Sequence, residues 1–407
     1  MYIHEKSFNF FFSNKNVKKV GRIFNFQEKV KKRNKAQKDL KTPDMLKKIV
    51  NEVHQEGVVG EEKLIKVIAL KISLRLVKGC SATSGNILIS DDSGLGKDWI
   101  TKRVCDVMLE AEKTYFHRTD LSEKVLNYWE LKDDDKNTLT WDGKVIWLED
   151  PIEKLIKSQA FKVRTSGGNA ITVLKDQVPF TVIVKGKPIF IVTSMKTSLD
   201  VENERRWDMV RLDSSKGQTR AISQWTAEKN AGLLEYHPDL EFRDTLQNLK
   251  QYEVVIPFSE RVLNGNEYKN ARTLNTKLFD YIKASAVLHQ HDRAKIDDKL
   301  IATYEDYDNA VMMWEKMGTK FGAILNTTEE KLLKYLKKMG EPTKIKQIID
   351  KTRGITKDWI YRHKDDLVER GLINIKMDFD ADSNKEIEHL ELGVNLTFKL
   401  NKNIRRG

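Results

Sequence analysis

Hydrophobic residues in the first part of the chain are spaced first for helices and then for a short buried strand. Between residues 44 and 78 they fall three or four positions apart, as on one face of a helix: Met45, Ile49, Val53, Leu64, Ile68, Ile72 and Leu76. This spacing predicts two helices, one on either side of Gly57 to Gly60. The run from Asn86 to Ser90 is continuously apolar at its centre and predicts a strand.

The segment from Asp91 to Asp98 contains two glycines and a lysine, and it precedes a helical pattern over Trp99 to Glu112. Glycines let backbone N–H groups close around an anion, the helix N-terminus adds positive potential, and Lys97 extends toward the outer phosphates. We therefore predict a nucleotide-binding loop. Its candidate residues are Ser93, Gly94, Leu95, Gly96, Lys97, Asp98 and Trp99.

Two aspartates depart from the usual pattern of such a loop. A glycine is expected five residues before the Gly-Lys step, and a serine or threonine after the lysine. This chain has Asp91 and Asp98 in those places. A carboxylate repels phosphate, but it is also a good Mg²⁺ ligand, so Asp98 is a candidate to hold the metal. Decay of the nucleotide site is the alternative.

A second all-apolar strand, Val145 to Leu148, ends in Glu149 and Asp150 about 50 residues after the phosphate loop. Two carboxylates at a strand end are what a nucleotide hydrolase uses to hold Mg²⁺ and to polarise the attacking water. Strands also end in acids simply because the chain emerges into solvent. The phosphate loop upstream favours the catalytic interpretation, with Asp98, Glu149 and Asp150 as candidate metal ligands.

A β-hairpin is predicted by the β-branched residues and glycines that follow residue 161. Its arms are Ile171 to Lys175 and Phe180 to Val184, and its tip lies at Lys175, Asp176 and Gln177. A turn that contains Lys185 and Lys187 leads out of the hairpin.

The strand after that turn, Ile189 to Val192, ends at Thr193 and Ser194. A polar residue at a strand end beside a phosphate loop is placed either to contact the γ-phosphate or lytic water, or simply to cap the strand. We expect Thr193 to belong to the catalytic site.

Adjacent arginines, Arg205 and Arg206, follow this strand end. They suit an arginine finger, which neutralises transition-state charge on the nucleotide of a neighbouring subunit. An ion pair with a neighbouring glutamate is the alternative. Further on, Arg272 precedes a predicted amphipathic helix, and it is either structural or a phosphate contact from a lid.

Residues from Thr343 to Leu400 have the pattern of helix, turn, helix and two strands, the order of a winged helix. The strands are predicted near Ile373 to Met377 and Leu390 to Leu400. Basic and aromatic residues on the second helix suit a DNA groove or backbone, although winged helices also serve as protein-contact modules. The candidate DNA-binding residues are Lys357, Trp359, Arg362 and Lys364.

Composition adds a bias toward a polyanionic partner. The 407 residues are 40% hydrophobic and 32% charged, and the net charge is +12. Such an excess favours nucleic acid or an acidic membrane surface as a partner. Lysines and arginines are dense in the first 44 residues, as in a mobile basic arm or a solvated helix.

Other features predict no further chemistry. No apolar run approaches the ~18 residues of a membrane helix, and residues 8–12 are too few for a signal peptide. We therefore expect a cytoplasmic, nucleoid-associated protein with no membrane partner. Cys80 and Cys105 lack zinc spacing and are expected to be reduced and buried. His289 and His291 have no third ligand nearby and are interpreted as polar surface or core residues.

The order of these motifs resembles that of the AAA+ ATPases. Within that group it is similar to the minichromosome-maintenance-related helicase modules of phage, plasmid and mobile-element replication proteins. The resemblance spans about residues 45 to 400 and lies in the order of the motifs rather than in any one of them. The residues that carry it are Gly57-Val-Val-Gly60-Glu, Gly94–Lys97, Gly186–Thr193, Glu204–Arg206, Leu212–Arg220, Ile282–Arg293 and Ala302–Tyr307.

The resemblance implies roles for the residues of the ATP site. Lys97 would bind the β- and γ-phosphates of Mg²⁺-bound ATP, and Glu149 with Asp150 would be the Walker B acids. Thr193 would be sensor 1. The acids run Glu-Asp where the family usually has Asp-Glu, and this order, with Asp98, predicts slower hydrolysis or a structural nucleotide site.

The resemblance also implies roles for cations outside the phosphate loop. Arg205 or Arg206 would be the finger, and Arg272 would be the sensor 2 arginine. The hairpin with Lys175 and Gln177 would grip single-stranded DNA in the channel of a hexamer, together with the root lysines Lys185 and Lys187.

We therefore expect an α/β protein with four parts. These are a basic arm (1–44), an AAA+ P-loop ATPase core with a pre-sensor hairpin (45–260), a small helical lid (261–335) and a winged-helix domain (336–407). The expected function is an ATP-driven DNA helicase or translocase, a homohexamer in replication of a mobile element or virus. Any primase or polymerase activity would need a partner.

Three other functions are consistent with the same motifs. One is a replication initiator that binds an origin and uses ATP as an assembly switch. Another is a non-enzymatic DNA-binding regulator with a degenerate nucleotide site. The third is an ATPase that loads another machine onto DNA.

Overall fold

The computed structural model describes most of the chain from residue 44 onward. The described residues are 44–122, 124–168, 170–175, 178–195, 206–262, 271–317, 327–369, 372–380 and 385–392. The predicted basic arm, apart from Asp44, lies outside the described residues, as do Gln177 at the hairpin tip and Arg205.

The described chain contains both helices and strands throughout. The helices are α1 (Met45–Gln55), α2 (Glu62–Ser73), α3 (Lys97–Met108), α4 (Glu153–Lys157), α5 (Gln159–Thr165), α6 (Lys216–Asn230), α7 (Leu240–Gln247), α8 (Ser259–Val262), α9 (Ala271–Leu288), α10 (Tyr304–Met317), α11 (Thr327–Met339), α12 (Ile345–Lys351) and α13 (Lys357–Glu369). The strands are β1 (Ile87–Ser90), β2 (Tyr115–Arg118), β3 (Leu131–Lys132), β4 (Thr138–Leu139), β5 (Val145–Glu149), β6 (Ala170–Lys175), β7 (Val178–Ile183), β8 (Ile189–Ser194), β9 (Asp208–Val210), β10 (Val254–Val255), β11 (Lys295–Ile296), β12 (Lys299–Ile301), β13 (Thr343–Lys344), β14 (Ile373–Asp380) and β15 (Lys385–Leu392).

A parallel sheet of five strands, in the order β2-β5-β8-β1-β9, forms the centre of this α/β unit. The strands β1 and β8 are buried along their whole length, as their continuous apolar runs predict for strands covered on both faces. Because the strands are parallel, the chain leaves all of them at the same edge of the sheet. We call this the carboxyl edge, and the opposite one the amino edge.

The two faces of the sheet bury separate sets of side chains, because successive residues of a strand point to opposite sides. One face carries Ile89, Trp147 and Ile191 and packs against the apolar sides of α1, α2, α3, α9 and α10. The other face carries Leu148 and Val192 and packs against a smaller cluster rich in aromatic residues. The sheet thus has a hydrophobic cluster on each face, and α3 packs in the larger one.

The helices α1 and α2 lie on either side of Gly57 to Gly60, as predicted, and they bury their apolar residues in the larger cluster. A charged network lies within the same cluster. The carboxylate of Asp208, at the start of β9, accepts hydrogen bonds from Lys71 of α2 and from Lys277 and Tyr281 of α9. This network fastens α9 to the sheet.

The hairpin of β6 and β7 pairs antiparallel between residues 170 and 183, as predicted. Side chains along β7 are largely exposed, including Val178, Phe180 and Ile183. The hairpin is therefore an extension of the sheet unit rather than a part of its core.

The C-terminal segment has its own hydrophobic cluster, which includes Ile348, Ile360 and Leu390. It follows the order helix, strand, two helices and two strands, with β13 and β14 both paired to β15. The second long strand described is β15 at Lys385–Leu392, which overlaps the predicted strand Leu390 to Leu400 only at its start. The rest of that predicted strand, residues 393–400, lies outside the described residues. Leu332 and Leu336 of α11 pack in this cluster, and the predicted boundary after residue 335 falls within that helix.

Candidate nucleotide site and nucleic-acid surfaces

The loop between β1 and α3 has the backbone conformation of an anion-binding turn. Gly94 and Gly96 have φ angles of 83° and 88°, in the left-handed region that suits glycine. A Cβ atom at either position would meet nothing within 4 Å, so these glycines are required by the backbone and not by packing. Gly96 is the N-cap of α3, which begins at Lys97, and the unpaired N–H groups of that helix end are available to an anion.

Lys97 and Asp98 lie side by side at the start of α3. The Lys97 side chain is only 4% exposed, and its Nζ lies 3.8 Å from Oδ2 of Asp98. The other carboxylate oxygen of Asp98, Oδ1, is buried and has no hydrogen-bond partner among the described residues. A buried, unpaired carboxylate oxygen is costly unless a cation or donor completes it.

An Mg²⁺ ion fits this donor set. Mg²⁺ bound to a nucleotide keeps several waters and takes only one or two protein carboxylates. Asp98 Oδ1 supplies one such oxygen beside the anion-binding loop. Within the described part of the chain there is no group of three His, Cys, Asp or Glu residues that would hold a metal without a nucleotide.

Three strand ends are joined by backbone hydrogen bonds at the carboxyl edge. Asp91 N donates to Ser194 O at 3.2 Å, and Asp150 N donates to Thr193 O at 2.8 Å. Met195 N donates to the carboxylate of Asp150 at 3.1 Å. Only β8 separates β1 from β5, so the phosphate loop and the two acids begin about 10 Å apart, two strand spacings of ~4.8 Å.

Glu149 lies at the end of β5 on the sheet face that α3 covers. Its carboxylate pairs with Nε2 of His117 at 2.8 Å, and the His117 ring stacks on Trp147 with centroids 3.9 Å apart. Sequence reasoning missed His117, which lies on the short strand β2 opposite Trp147. Its signal in the sequence is only a polar residue after two aromatic ones.

Asp150 follows Glu149 with a φ angle of 42°, an uncommon conformation for a residue with a side chain. Backbone strain of this kind persists only where surrounding contacts hold it, often in functional sites. Here the amide and the carboxylate of Asp150 both bond to β8 and its extension.

Thr193 occupies the predicted strand end, in register with both Ile89 and Glu149. Its side chain is fully buried, and its hydroxyl accepts a hydrogen bond of 3.2 Å from the Trp147 indole. The hydroxyl retains one proton to donate. Ser194, the next residue, is paired in register with Ser90 immediately before the phosphate loop.

Asp91, which replaces the expected glycine, has a structural partner. Its Oδ2 accepts a hydrogen bond of 2.9 Å from the backbone N–H of Leu212, and Oδ1 accepts one from Asp92 N. The carboxylate thus ties the start of the loop to the segment after β9. Asp91, which departs from the usual motif, therefore stabilises the position of the loop.

Trp99 lies on α3 and contacts the segment between α1 and α2. Its indole donates to Gly57 O at 3.3 Å, and the Arg103 guanidinium stacks on its ring at 4.0 Å. Beyond Gly57 lies a cavity of about 340 Å³ lined by Trp225 and Tyr236 among others. Gln218 of α6 donates to Val59 O at 2.6 Å, so α6 is held against this segment.

The predicted arginines are described only in part. Arg206 precedes β9, whose first residue Asp208 pairs with Ile87, the first residue of β1. Arg206 is therefore at the amino edge, opposite the phosphate loop of its own chain, and its carbonyl accepts a hydrogen bond from Asn86. Arg205 lies outside the described residues. Arg272 lies in the first turn of α9 rather than before the helix, and its side chain is outside the described set.

The candidate DNA-binding lysines of the hairpin differ in environment. Lys175 ends β6, with a side chain outside the described set, whereas Lys185 at the root is exposed. Lys187, also at the root, donates from Nζ to Cys80 O at 2.8 Å. The root is thus fixed to the segment that precedes β1.

The candidate DNA-binding residues of α13 also differ. Lys357 and Arg362 are exposed, whereas Lys364 is paired with Glu388 of β15 at 2.5 Å. Trp359 stacks on His363 with centroids 4.7 Å apart. The exposed face of α13 therefore presents two cations for an anionic ligand, with the aromatic Tyr361 between them.

The remaining sequence predictions concern cysteines, histidines and membrane spans. Burial raises the pKa of the Cys80 thiol to about 11 and raises that of Cys105 further, and both thiols are free. His289 is buried and bonded to Ser285 O, as a core residue. In the described part of the chain, no helix has the length and apolarity to cross a bilayer.

Comparison with known families supports the nucleotide site. The model of a family described as the MTBMA_p00010 P-loop domain matches residues 29–246. The match covers more than half of the chain and contains the phosphate loop, both acids and the hairpin. No curated protein gives a significant match.

Proposed function

Because the chain belongs to the MTBMA_p00010 P-loop domain family, we propose that it is a ring-forming AAA+ ATPase that moves along or unwinds DNA during replication of a mobile element or virus. The observation that carries this proposal is the carboxyl edge. There the buried Lys97 and the unpartnered oxygen of Asp98 follow β1, and the Glu149-Asp150 pair follows β5, which only β8 separates from β1 in the same sheet.

The residues of the loop bind the triphosphate. Backbone N–H groups at the start of α3 surround the phosphates, and Lys97 neutralises the outer ones. Asp98 and Asp150 would hold Mg²⁺, which would supply positive charge to stabilise the charge that develops on the phosphates. Glu149, oriented by His117, accepts the proton of the attacking water.

The base of the nucleotide binds on the other side of Gly57. The cavity lined by Trp225 and Tyr236 adjoins Trp99, which is two residues from Lys97 on the same helix. An aromatic cavity of about 340 Å³ has the size and chemistry of a small-molecule site. Because Gln218 fastens α6 to the Gly57–Gly60 segment, base binding would favour one position of α6.

A second protomer would complete the site. Arg206 lies at the edge of the sheet opposite its own phosphate loop, which favours action on a neighbouring molecule. In a closed ring each chain would lend Arg205 or Arg206 to the next, and Arg272 would approach the phosphates from α9. A homohexamer is the ring that we propose.

Two elements would bind DNA. The hairpin of β6 and β7 would contact single-stranded DNA in the channel through Lys175 and Gln177. The C-terminal unit would act as a winged helix and bind duplex DNA through α13. Hydrolysis would move the hairpin, because β8 connects its root directly to Thr193 at the nucleotide site.

A strand-displacement assay with a tailed duplex tests this proposal. The purified chain should separate the strands only with ATP and Mg²⁺, and Lys97→Ala should prevent it. An initiator that uses ATP as an assembly switch would assemble with ATP but leave the tailed duplex intact. A non-enzymatic regulator would bind DNA with no effect of nucleotide.

A further inference from the structure

A basic cavity lies at the amino edge of the sheet, away from the nucleotide site. Its volume is about 280 Å³, and its walls come from the residues before β1, β5 and β8. The cationic side chains that line it are Arg75, Lys78 and Lys187. Ile189 at the start of β8 lines the cavity, and Thr193 and Ser194 lie about 13 and 17 Å further along this strand, at ~3.3 Å per residue.

Arg75 differs from the two lysines in having a buried donor without an acceptor among the described residues. Its Nη1 makes only a long hydrogen bond of 3.4 Å to Gly143 O. Its Nε is buried and has no hydrogen-bond partner in the part of the chain that the structure describes. Burial lowers the pKa of Arg75 to about 10, so the guanidinium is still charged at neutral pH. A buried guanidinium N–H without an acceptor is available to hydrogen-bond an anion that enters the cavity.

The other charges around the cavity leave a positive excess. Asp142 is the one carboxylate in its lining among the described residues, and this carboxylate already accepts hydrogen bonds from Lys187 N at 3.1 Å and Thr140 Oγ1 at 2.9 Å. Cys80 adds no charge, because burial raises the pKa of its thiol to about 11. Asp280, close by, is bonded to Ser81 N and Ser84 Oγ. Three cations therefore face one carboxylate in the lining.

The backbone around the cavity is held in place. Lys78 N donates to Tyr252 O at 2.9 Å, and Lys187 Nζ donates to Cys80 O at 2.8 Å. Gln251 donates to Arg75 O at 3.2 Å. The cations are thus fixed on rigid segments, as a binding site requires.

Lys187 connects this cavity to the hairpin, because the chain passes from β7 through Lys185 and Lys187 directly into β8. A single DNA strand bound along the hairpin would place one of its phosphates at the mouth of this cavity. The cavity is also open enough for an exposed side chain, Lys78, to reach a ligand at its mouth.

We propose that Arg75, Lys78 and Lys187 form a phosphodiester-binding subsite for the DNA strand that runs along the hairpin. The identity of the ligand rests on the proposed DNA function, whereas the preference for a phosphate group rests on the cavity alone. Because β8 runs from this cavity to Thr193, a shift of β8 on DNA binding would change the position of Thr193 in the nucleotide site.

The test is binding of a fluorescein-labelled 20-nucleotide oligothymidylate to the full-length chain without nucleotide, followed by anisotropy between 50 and 200 mM KCl. We expect Lys78→Glu to weaken binding about tenfold at 100 mM KCl and to reduce the slope of log K against log salt by ~0.7, the value of one phosphate contact on a single strand. Lys47→Glu makes the same change of charge at an exposed site on α1 and should have no comparable effect.

Arg75→Gln tests the buried member of the site. It should also reduce the slope, and a circular dichroism melt shows whether the variant is folded. If Arg75→Gln does not fold, the affinity and salt slope of Lys78→Glu, which changes an exposed residue, decide the test. An unchanged affinity and slope in folded Lys78→Glu would overturn the proposal.

Inorganic phosphate serves as the second probe, at constant ionic strength. Displacement of the oligonucleotide by low millimolar phosphate from the original chain but not from Lys78→Glu would show that a DNA phosphate occupies this site. Phosphate binding that requires Lys78 but leaves the oligonucleotide bound would indicate a free-anion site and overturn the DNA assignment. ATP turnover is measured in parallel. Its absence would refute the motor but not the subsite, because the binding assay contains no nucleotide.

Discussion

His117 and Glu149 form a hydrogen bond of 2.8 Å between neighbouring strands of the sheet. Stacking of His117 on Trp147 fixes the imidazole, and the imidazole in turn fixes the carboxylate. Both side chains are about one-third exposed at the carboxyl edge. Glu149 is therefore held in one orientation before any nucleotide binds.

Replacement of His117 should slow ATP hydrolysis. We expect His117→Ala to lower kcat about tenfold with little change in KM for ATP, since loss of an orienting partner typically costs 10- to 100-fold. His117→Asn, which keeps a donor, should retain more activity. Steady-state turnover of both variants is compared with His291→Ala, which removes an exposed histidine outside the site. Equal turnover in all of these chains would remove His117 from the mechanism.

Replacement of Asp98 should change the demand for Mg²⁺. Its unpartnered Oδ1 is the metal oxygen in our account, so Asp98→Ala should raise the Mg²⁺ concentration for half-maximal ATP hydrolysis by about tenfold. Asp98→Thr, which restores the usual hydroxyl, should stay near the original value. A Mg²⁺ titration of turnover measures this, with the exposed neighbour Asp92→Ala as control. Identical titrations for Asp98→Ala and Asp92→Ala would show that Asp98 does not hold the metal.

Replacement of Asp208 should destabilise the sheet unit. Burial opposes ionisation of this carboxyl, but Lys277 and Lys71 lower its pKa to about 2. Asp208→Asn leaves two buried lysines without their partner and should cost about 3 kcal/mol of unfolding free energy at pH 7. Urea unfolding measures the cost, and Asp135→Asn at an exposed site should cost less than about 0.5 kcal/mol.

The unfolding free energies of the original chain and of Asp208→Asn should also depend differently on pH. The folded pKa of Asp208 is below its ordinary value of 3.8, so its contribution is complete above pH 3.8 and is lost as the pH falls toward 2. That contribution is about 2 kcal/mol. The gap in unfolding free energy between the original chain and Asp208→Asn should therefore narrow between pH 5 and pH 2. A gap that stays constant would mean that Asp208 is not ionised in the folded chain.

Arg362 of α13, whose ion pair with Asp358 is long and exposed, should contribute more to duplex binding than Lys364, whose ion pair with Glu388 is short. Arg362→Ala should reduce the slope of log K against log salt by ~0.9. Lys364→Ala should reduce it less, because the pair of Lys364 with Glu388 at 2.5 Å is shorter and less exposed than that of Arg362 with Asp358 at 3.9 Å. Titration of a 20-base-pair duplex at several salt concentrations gives both slopes. Unchanged slopes for both variants would favour a protein-contact role for this unit.

Local patterns were enough to predict the elements that carry the site. The strands β1, β5 and β8 have continuous apolar runs, and each ends in the polar residues that were predicted to meet. The hairpin was predicted from β-branched residues on either side of Lys175, and its arms are confirmed. The roles of its lysines stay predictions.

Contacts between distant parts of the chain were not predictable in the same way. The pairing of His117 with Glu149 depends on the order of strands, and the Lys71–Asp208 pair joins residues far apart in sequence. The strand β15 alternates polar and apolar residues and was therefore missed in favour of the more apolar run after it. The partner of Asp91 could not be predicted either, because Leu212 is distant in sequence and contributes only its backbone N–H.

The most direct test of the account is Mg²⁺-dependent ATP hydrolysis by Lys97→Ala, with oligonucleotide binding measured on the same preparation. The control is Lys102→Ala, which removes an exposed lysine from the same helix. We predict that Lys97→Ala loses hydrolysis to the level of background and binds DNA within about twofold of the original chain, while Lys102→Ala keeps both. Hydrolysis by Lys97→Ala at the original rate, or no hydrolysis by the original chain with ATP and Mg²⁺, would contradict the account.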